Sequence, residues 1–404
     1  MNALVAILGL GVLIFVHECG HFFVARAVGM RPRKFYVGFP PAIVKTTRNG
    51  IEYGLGSIPL GGYVKIPGMH RPAASDLDVH FHRVVEEAPQ LVARVDRVKR
   101  ALAAGDTELA KSLLPGLVTA FEEAELSPTA RRNGERGIRE LDDALASDAY
   151  WRAPVWKRAA AIAAGPLTNV LLALVLFTGL YMAGGGKATN QVHAVVPDSP
   201  AAAMGVQSGD RIVEINGERV TADEISQRIR DSEGAPLRLV VRRDGDEVRL
   251  GPQRPQRDEE TDSYRLGFQL AGVGLSLPES VWHSAKLTWR VTEEIGKSLS
   301  RLVTGEGRED ISSPVGIVQG SSDALDQGYQ EFFWVLGLIS LSLALLNLLP
   351  LLPLDGGHIL FSLIEGVRGK AVGREVYERV SAVGLALVLL LFFIGLSNDI
   401  GRLS

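Results

Sequence analysis

Uncharged apolar stretches at 1–16, 159–186, 332–354 and 380–398, with apolar character resuming at 22–28 after the first, interrupt an otherwise charge-rich chain of 404 residues. A helix needs about 20 apolar residues to cross a bilayer. Backbone polar groups in hydrocarbon must be satisfied within the segment itself, so such stretches cross as helices. The pattern predicts a multi-pass α-helical membrane protein with transmembrane helices at 1–28, 155–186, 331–357 and 378–398. Ala25-Arg26-Ala27 has the small-residue spacing of a signal-peptide cleavage site. No Lys or Arg precedes the apolar core, however, and His17 and Glu18 interrupt it, so the first stretch reads as a retained span.

Basic residues near span ends mark the cytoplasmic side. Arg26, Arg31, Arg33, Lys34, Lys45 and Arg48 follow the first span, and Arg152, Lys157 and Arg158 precede the second. Arg368, Lys370, Arg374 and Arg379 lie between the third and fourth. These loops agree on one orientation in the plasma (inner) membrane. The 29–155 loop is cytoplasmic, and both termini and the segment between spans two and three are extracytoplasmic. The lipid bilayer is therefore a partner. Lys+Arg is 43 against Asp+Glu 46, a net charge of -3. With no basic excess, nucleic acid is not expected as a partner. One cysteine, Cys19, excludes an intramolecular disulfide and a Cys-rich zinc module.

The segments between the spans differ in kind. Residues 29–70 read as a small membrane-associated β-sheet: Lys34-Phe35-Tyr36-Val37 and Ile51-Glu52-Tyr53-Gly54-Leu55 alternate around the turn signal Arg48-Asn49-Gly50. Its open edge could pair with an extended peptide. Residues 71–150 read as a helical cytoplasmic insertion of two or three amphipathic helices. Breaks are expected near Gly105-Asp106, Pro115-Gly116 and Ser127-Pro128. His80 and His82 there, two residues apart, read as surface histidines. Residues 190–275 read as a compact α/β module. Arg211-Ile212-Val213-Glu214-Ile215 runs into the hairpin signal Asn216-Gly217, and Thr221-Ala222-Asp223-Glu224 is a capping box before a helix. Its run from Ser199-Pro200-Ala201-Ala202 to Gly209-Asp210 resembles the signature of a PDZ domain, which implies a peptide or chain end as ligand. Residues 280–330 form an amphipathic connector, with Leu287, Val291, Ile295 and Leu299 on one face of a helix near the outer membrane surface.

The chemistry concentrates in His17-Glu18-Cys19-Gly20-His21, inside the first span. On a helix, positions i and i+4 share a face, so both imidazoles can reach one ion. The intervening glutamate can take a proton from a water activated by that metal. An ionisable trio at membrane depth costs roughly 2–3 kcal/mol or more per charged group unless it is paired or liganded. A catalytic zinc site needs a third protein ligand and one open position. Asp355 is the candidate, at the end of the third span in Asn347-Leu348-Leu349-Pro350-Leu351-Leu352-Pro353-Leu354-Asp355-Gly356-Gly357, where prolines and glycines break the helix. His358 competes for that role but lies further into the glycine turn. Cys19 reads as an inert thiol facing away from the histidines.

These motifs together resemble the site-2 protease family of intramembrane zinc metalloproteases, in its bacterial form with one PDZ domain, the regulator-of-sigma type. The resemblance rests on the pentapeptide in the first span and on Asn347 to Gly357 in the third. It also rests on Gly165-Pro166-Leu167-Thr168-Asn169 in the second span and on Pro59-Leu60-Gly61-Gly62-Tyr63-Val64-Lys65. It covers most of the chain, in matching order. It implies Zn2+ held by His17, His21 and Asp355, with Glu18 as general base. It implies that Asn347 contacts the substrate backbone or reacting oxygen and that Asn169 lies close to the site. The sheet containing Gly61 and Gly62 is implied to present the substrate as a strand. The implied activity is a zinc metalloendopeptidase cutting transmembrane segments of membrane-anchored proteins, often after a first cut by another protease. That cut would release a regulator, as when a sigma factor is freed from a membrane-bound anti-sigma factor. Two departures stand out: Pro40-Pro41 after Phe39, and the long insertion at 76–150. The alternatives are a catalytically silent scaffold, which needs neither zinc nor turnover, and a metal transporter, which needs metal flux without peptide products.

Overall fold

The computed structural model describes residues 2–258, 263–304, 307–308 and 311–403. Residues 259–262, inside the expected 190–275 module, and 305–306 and 309–310, inside the expected connector, lie outside the described residues. The chain divides into two units, one of residues 1–173 and 291–404, the other of residues 174–290.

In chain order, α1 (Asn2–Ala27) leads into strands β1 (Lys34–Arg48) and β2 (Ile51–Lys65). Helices α2 (Ala74–Glu87), α3 (Val92–Ala103), α4 (Thr107–Glu123) and α5 (Pro128–Leu145) follow, and then the long α6 (Val155–Leu180). The second unit holds β3 (Lys187–Val195), α7 (Pro200–Met204), β4 (Arg211–Ile215), β5 (Glu218–Arg219) and α8 (Ala222–Asp231). Strands β6 (Leu237–Arg243), β7 (Asp246–Gln253), β8 (Gln256–Asp258), β9 (Ser263–Arg265) and β10 (Phe268–Val273) complete its sheets. Helices α9 (Leu277–Thr304), α10 (Pro314–Gln327), α11 (Tyr329–Asn347), α12 (Asp355–Arg368) and α13 (Arg374–Leu403) end the chain. Among the described residues, four helices are long and apolar enough to cross a membrane: Asn2–Ala27, Val155–Gly185, Tyr329–Asn347 and Glu375–Arg402.

The expected third span of 331–357 is not one helix. Helix α11 stops at Asn347, an irregular stretch follows, and Asp355 opens α12. Pro350 and Pro353 lack the N–H that a continuing helix requires. Gly356 and Gly357 then let the new helix fold directly onto the backbone of 348–352, where any Cβ would collide.

Strand β1 turns into β2 at Asn49-Gly50, both with positive φ, as a tight hairpin requires. Residues 34–37 pair on one side with 52–55 and on the other with 62–65, while 44–48 pair with 51–55. The result is a compact folded ribbon whose last strand segment, 62–65, lies at an edge.

The insertion forms four helices, α2 to α5, around a core that includes Phe81, Leu91, Leu117, Phe121 and Leu141. The break expected at Pro115-Gly116 does not occur, because both residues lie inside α4. Both are exposed, so the Lys111 carbonyl that Pro115 leaves without its helical donor can bond to water, while Leu114, Leu117 and Phe121 anchor the other face. The break falls instead at Ala88-Pro89, where proline forbids the preceding residue a helical conformation. His82 is exposed, whereas His80 is tucked against α5 and meets Glu140 at 2.9 Å.

In the second unit the strand order is β10-β3-β4-β6-β7, with β5 paired to β4. Ile212, Ile215, Ile225, Leu237, Leu239 and Val241 fill its core. Asn216-Gly217 and Asp244-Gly245 take positive φ at the turns, and the Thr221 backbone N–H donates to Glu224 at 2.8 Å in the expected capping box. Asp210 is almost fully buried beneath this sheet. Arg243 donates to it twice, at 2.7 and 2.8 Å, and the Gln207 N–H donates at 2.9 Å. Burial alone pushes the Asp210 carboxyl up, but Arg243 and the Gln207 N–H outweigh it and hold the group below the usual carboxylate range. The group therefore stabilises the fold above the unfolded value of about 4. That contribution is lost as pH falls through the lower folded value. Asp210→Asn should lower the stability of this unit by about 2–3 kcal/mol at neutral pH. Faster hydrogen exchange of the β4 and β6 amides would report the loss, and the difference from the parent should shrink in acid.

Candidate metal centre and active site

His17, Glu18 and His21 sit on the buried face of α1. The two Nε2 atoms are 3.2 Å apart, and each is 3.3 Å from Asp355 Oδ2. The nearest point equidistant from the three atoms lies in their plane, about 1.9 Å from each, and a small displacement from the plane gives the roughly 2.0–2.2 Å of zinc–nitrogen and zinc–oxygen bonds. Asp355 Oδ2 is buried and has no hydrogen-bond donor of proper geometry. A buried carboxylate oxygen facing two imidazole nitrogens without a proper donor is the arrangement a cation resolves. The donor set therefore fits zinc.

Local structure explains why these atoms meet. Asp355 is the first residue of α12, where the positive end of the helix favours an anion. His21 Nδ1 lies 3.0 Å from the Ala161 carbonyl oxygen on α6. If Nδ1 donates there, the Nε2 lone pair is left for the metal, the usual outer support of a histidine ligand. This approach depends on small residues. A Cβ on Gly165 would strike the His21 ring, and one on Gly20 would strike the Ala164 carbonyl and Thr168 Oγ1. Small residues at facing positions let membrane helices touch backbone to backbone. Helix α12 is also held to α6 by a partly buried ion pair, Arg158 to Glu365 at 2.5 Å.

Glu18 meets the edge strand of the ribbon. The Val64 N–H donates to its carboxylate, and a Cβ on Gly62 would lie 2.7 Å from Glu18 Cγ. Gly61 is instead packed under the Phe39 ring. Asn169 is fully buried on α6, one turn beyond Gly165, and neither amide atom has a partner; its backbone carbonyl accepts from Ser340 on α11. Asn347 turns its amide back to the Leu343 carbonyl at 3.0 Å, along its own helix. His358 points to Tyr377, its hydrogen-bond partner, rather than joining the three donors. Cys19 packs beside Phe22, Phe35 and Ile51, away from the donors. Sequence reasoning missed the Ala161 carbonyl and the Val64 N–H, since backbone groups carry no residue signature. The adjacent Gly165-Pro166 was the one visible hint of close approach on α6.

A family model, Peptidase family M50, matches residues 5–391. The chain belongs to peptidase family M50. The relatives of this M50 chain include the Agrobacterium fabrum protein Atu1380, whose name classes it as a zinc metalloprotease. It is 30% identical over 98% of this chain and 95% of its own length. The regulator of sigma-W protease RasP of Bacillus subtilis is 29% identical over 100% of this chain and 99% of its own. The zinc metalloprotease RasP of Geobacillus kaustophilus is 31% identical over 97% and 96%. This M50 peptidase is a zinc metalloprotease and, with its four long apolar helices, a multi-pass membrane protein.

Gly165→Ala should push the His21 ring out of line without removing a ligand. Zinc affinity should fall by about 10–100-fold, measured by competition with a chelator while the helical content stays unchanged.

Proposed function

We propose that this peptidase is an intramembrane endopeptidase that cuts transmembrane segments of membrane-anchored proteins. The observation that carries this reading is a buried donor set at the depth of an apolar span, with a glutamate beside it and a strand edge running past that glutamate. His17, His21 and Asp355 hold Zn2+. Bound there, zinc supplies Lewis acidity toward the scissile carbonyl.

The remaining chemistry belongs to the chain. The substrate segment unwinds, because a helix shields its own carbonyls, and adds as a strand to the edge at 61–65. Glu18, oriented by the Val64 N–H, takes a proton from the attacking water at its carboxylate. It then delivers that proton to the nitrogen of the leaving amine. Asn169, buried with an unpartnered amide one turn from the His21 contact, and Asn347, at the end of α11, are the side chains we assign to steady the substrate. The apolar faces of α1, α6 and α11 restrict bulk water to what the site admits.

Both termini and the module at 190–275 lie outside the cytoplasm, and 29–155 lies inside. The module at 190–275 is a PDZ domain that filters substrates, admitting those already shortened by another protease. By analogy with the Bacillus relative named for sigma-W, the released fragment is a transcription regulator, such as a sigma factor freed from its membrane-bound anti-sigma factor.

The test is cleavage of reconstituted single-span substrates by the parent and by Glu18→Gln, with zinc assayed in both. The variant should keep its zinc and lose about 10²–10⁴ in kcat. A variant that cuts at the parental rate sinks the assignment of the base.

A further inference from the structure

The helical insertion is tied to the ribbon through two carboxylates, Asp143 and Asp148, of which Asp143 reaches Lys65 in the strand beside Glu18. Asp143 lies in the last turn of α5, where an acidic residue faces the negative end of the helix and is locally unfavourable. Its neighbours Leu141, Ala144 and Leu145 are buried, so the position is fixed by the bundle. Both oxygens of Asp143 are used, one by the residue just before β1 and one by the last residue of β2. Arg33 Nε donates to Oδ1 at 3.0 Å, and Lys65 Nζ donates to Oδ2 at 2.7 Å. Arg33 also holds Asp148 through two bonds of 3.1 Å.

These two cations close the ribbon. The Arg33 N–H donates to the Lys65 carbonyl at 2.7 Å, and the Glu52 N–H donates to the Arg33 carbonyl at 3.0 Å. Lys65 directly follows Val64, whose N–H meets Glu18, and Gly62 packs on the same side chain. A shift of Asp143 therefore moves the end of the strand that orients Glu18. A residue that breaks a local rule and is matched by a specific tertiary gain marks a functional position. The pair is partly exposed, so its net contribution to stability is small. Its consequence lies in geometry.

We propose that Asp143 is a positioning residue for the cleavage reaction, and that the α2–α5 insertion clamps the 62–65 strand against Glu18 through the Asp143–Lys65 and Asp143–Arg33 contacts. The inference rests on Glu18 being the general base. A misplacement of even an ångström at a reacting group lowers the chemical rate far more than it lowers binding.

The experiment measures kcat, KM and zinc content of the full-length protein in liposomes with one single-span substrate. The variants are Asp143→Asn, Asp143→Glu, Lys65→Met, the neighbouring exposed Asp142→Asn, and Glu18→Gln. Asp143→Asn and Lys65→Met should each lower kcat on the order of tenfold, with KM within about twofold and zinc retained. Asp143→Glu, which keeps the charge, should recover part of the rate, and Asp142→Asn should match the parent. Unchanged kcat in Asp143→Asn and Lys65→Met overturns the proposal. So does loss of zinc or of folded protein in step with the rate, which marks a purely structural contact. Glu18→Gln reports separately on the base, since its full activity would remove the group being positioned while leaving the clamp intact.

Discussion

Three metal-donor side chains facing one another inside apolar helices are costly unless a cation joins them, and much of the larger unit is arranged around that requirement. Two imidazole nitrogens and a carboxylate oxygen lie within 3.3 Å of one another, and the carboxylate oxygen has no donor of proper geometry. Bringing them together forces helices α1, α6 and α12 to approach closely. Glycine at positions 20 and 165 removes the atoms that would keep α1 from α6, while Gly356 and Gly357 let α12 fold onto the backbone of 348–352. The broken third span is part of the same solution: ending α11 at Asn347 lets Asp355 begin a new helix whose positive end faces the site.

The ribbon after the first span connects this centre to the helical insertion. Its edge segment passes Glu18 on one side, and its charged ends, Arg33 and Lys65, reach the insertion on the other. The proposed reaction uses an edge strand with unpaired backbone groups, an arrangement that soluble proteins usually hide. Here one of those groups, the Val64 N–H, is spent on the glutamate. The insertion meets the same strand at the next residue, Lys65, through Asp143.

The second unit is built on other terms. It folds around a compact aliphatic core with tight Asn-Gly and Asp-Gly turns, and its buried carboxylate Asp210 is matched by Arg243. A buried charge matched in this way costs little, while the same charge alone would be expensive.

Much of this was legible in the residue order. Long apolar runs marked the four helices because hydrocarbon admits few alternatives. Asn49-Gly50 and Asn216-Gly217 marked their turns because few residues accept positive φ. His17, Glu18 and His21 share a face because helix geometry repeats every 3.6 residues. Pro115 misled, because whether proline ends a helix depends on which face the orphaned carbonyl meets, and that is a tertiary fact. Nothing local indicated that 34–37 would pair on both sides, that the Ala161 carbonyl would meet His21, or that Asp143 would bridge Arg33 and Lys65. The sequence by itself determined the long apolar helices, the turns and the helix face on which the nitrogen donors His17 and His21 lie, because each follows from short-range sterics or from solvent. Only the tertiary structure decided which backbone carbonyl, which strand edge and which distant carboxylate meet those donors, because such contacts are chosen by the packing of segments far apart in the chain.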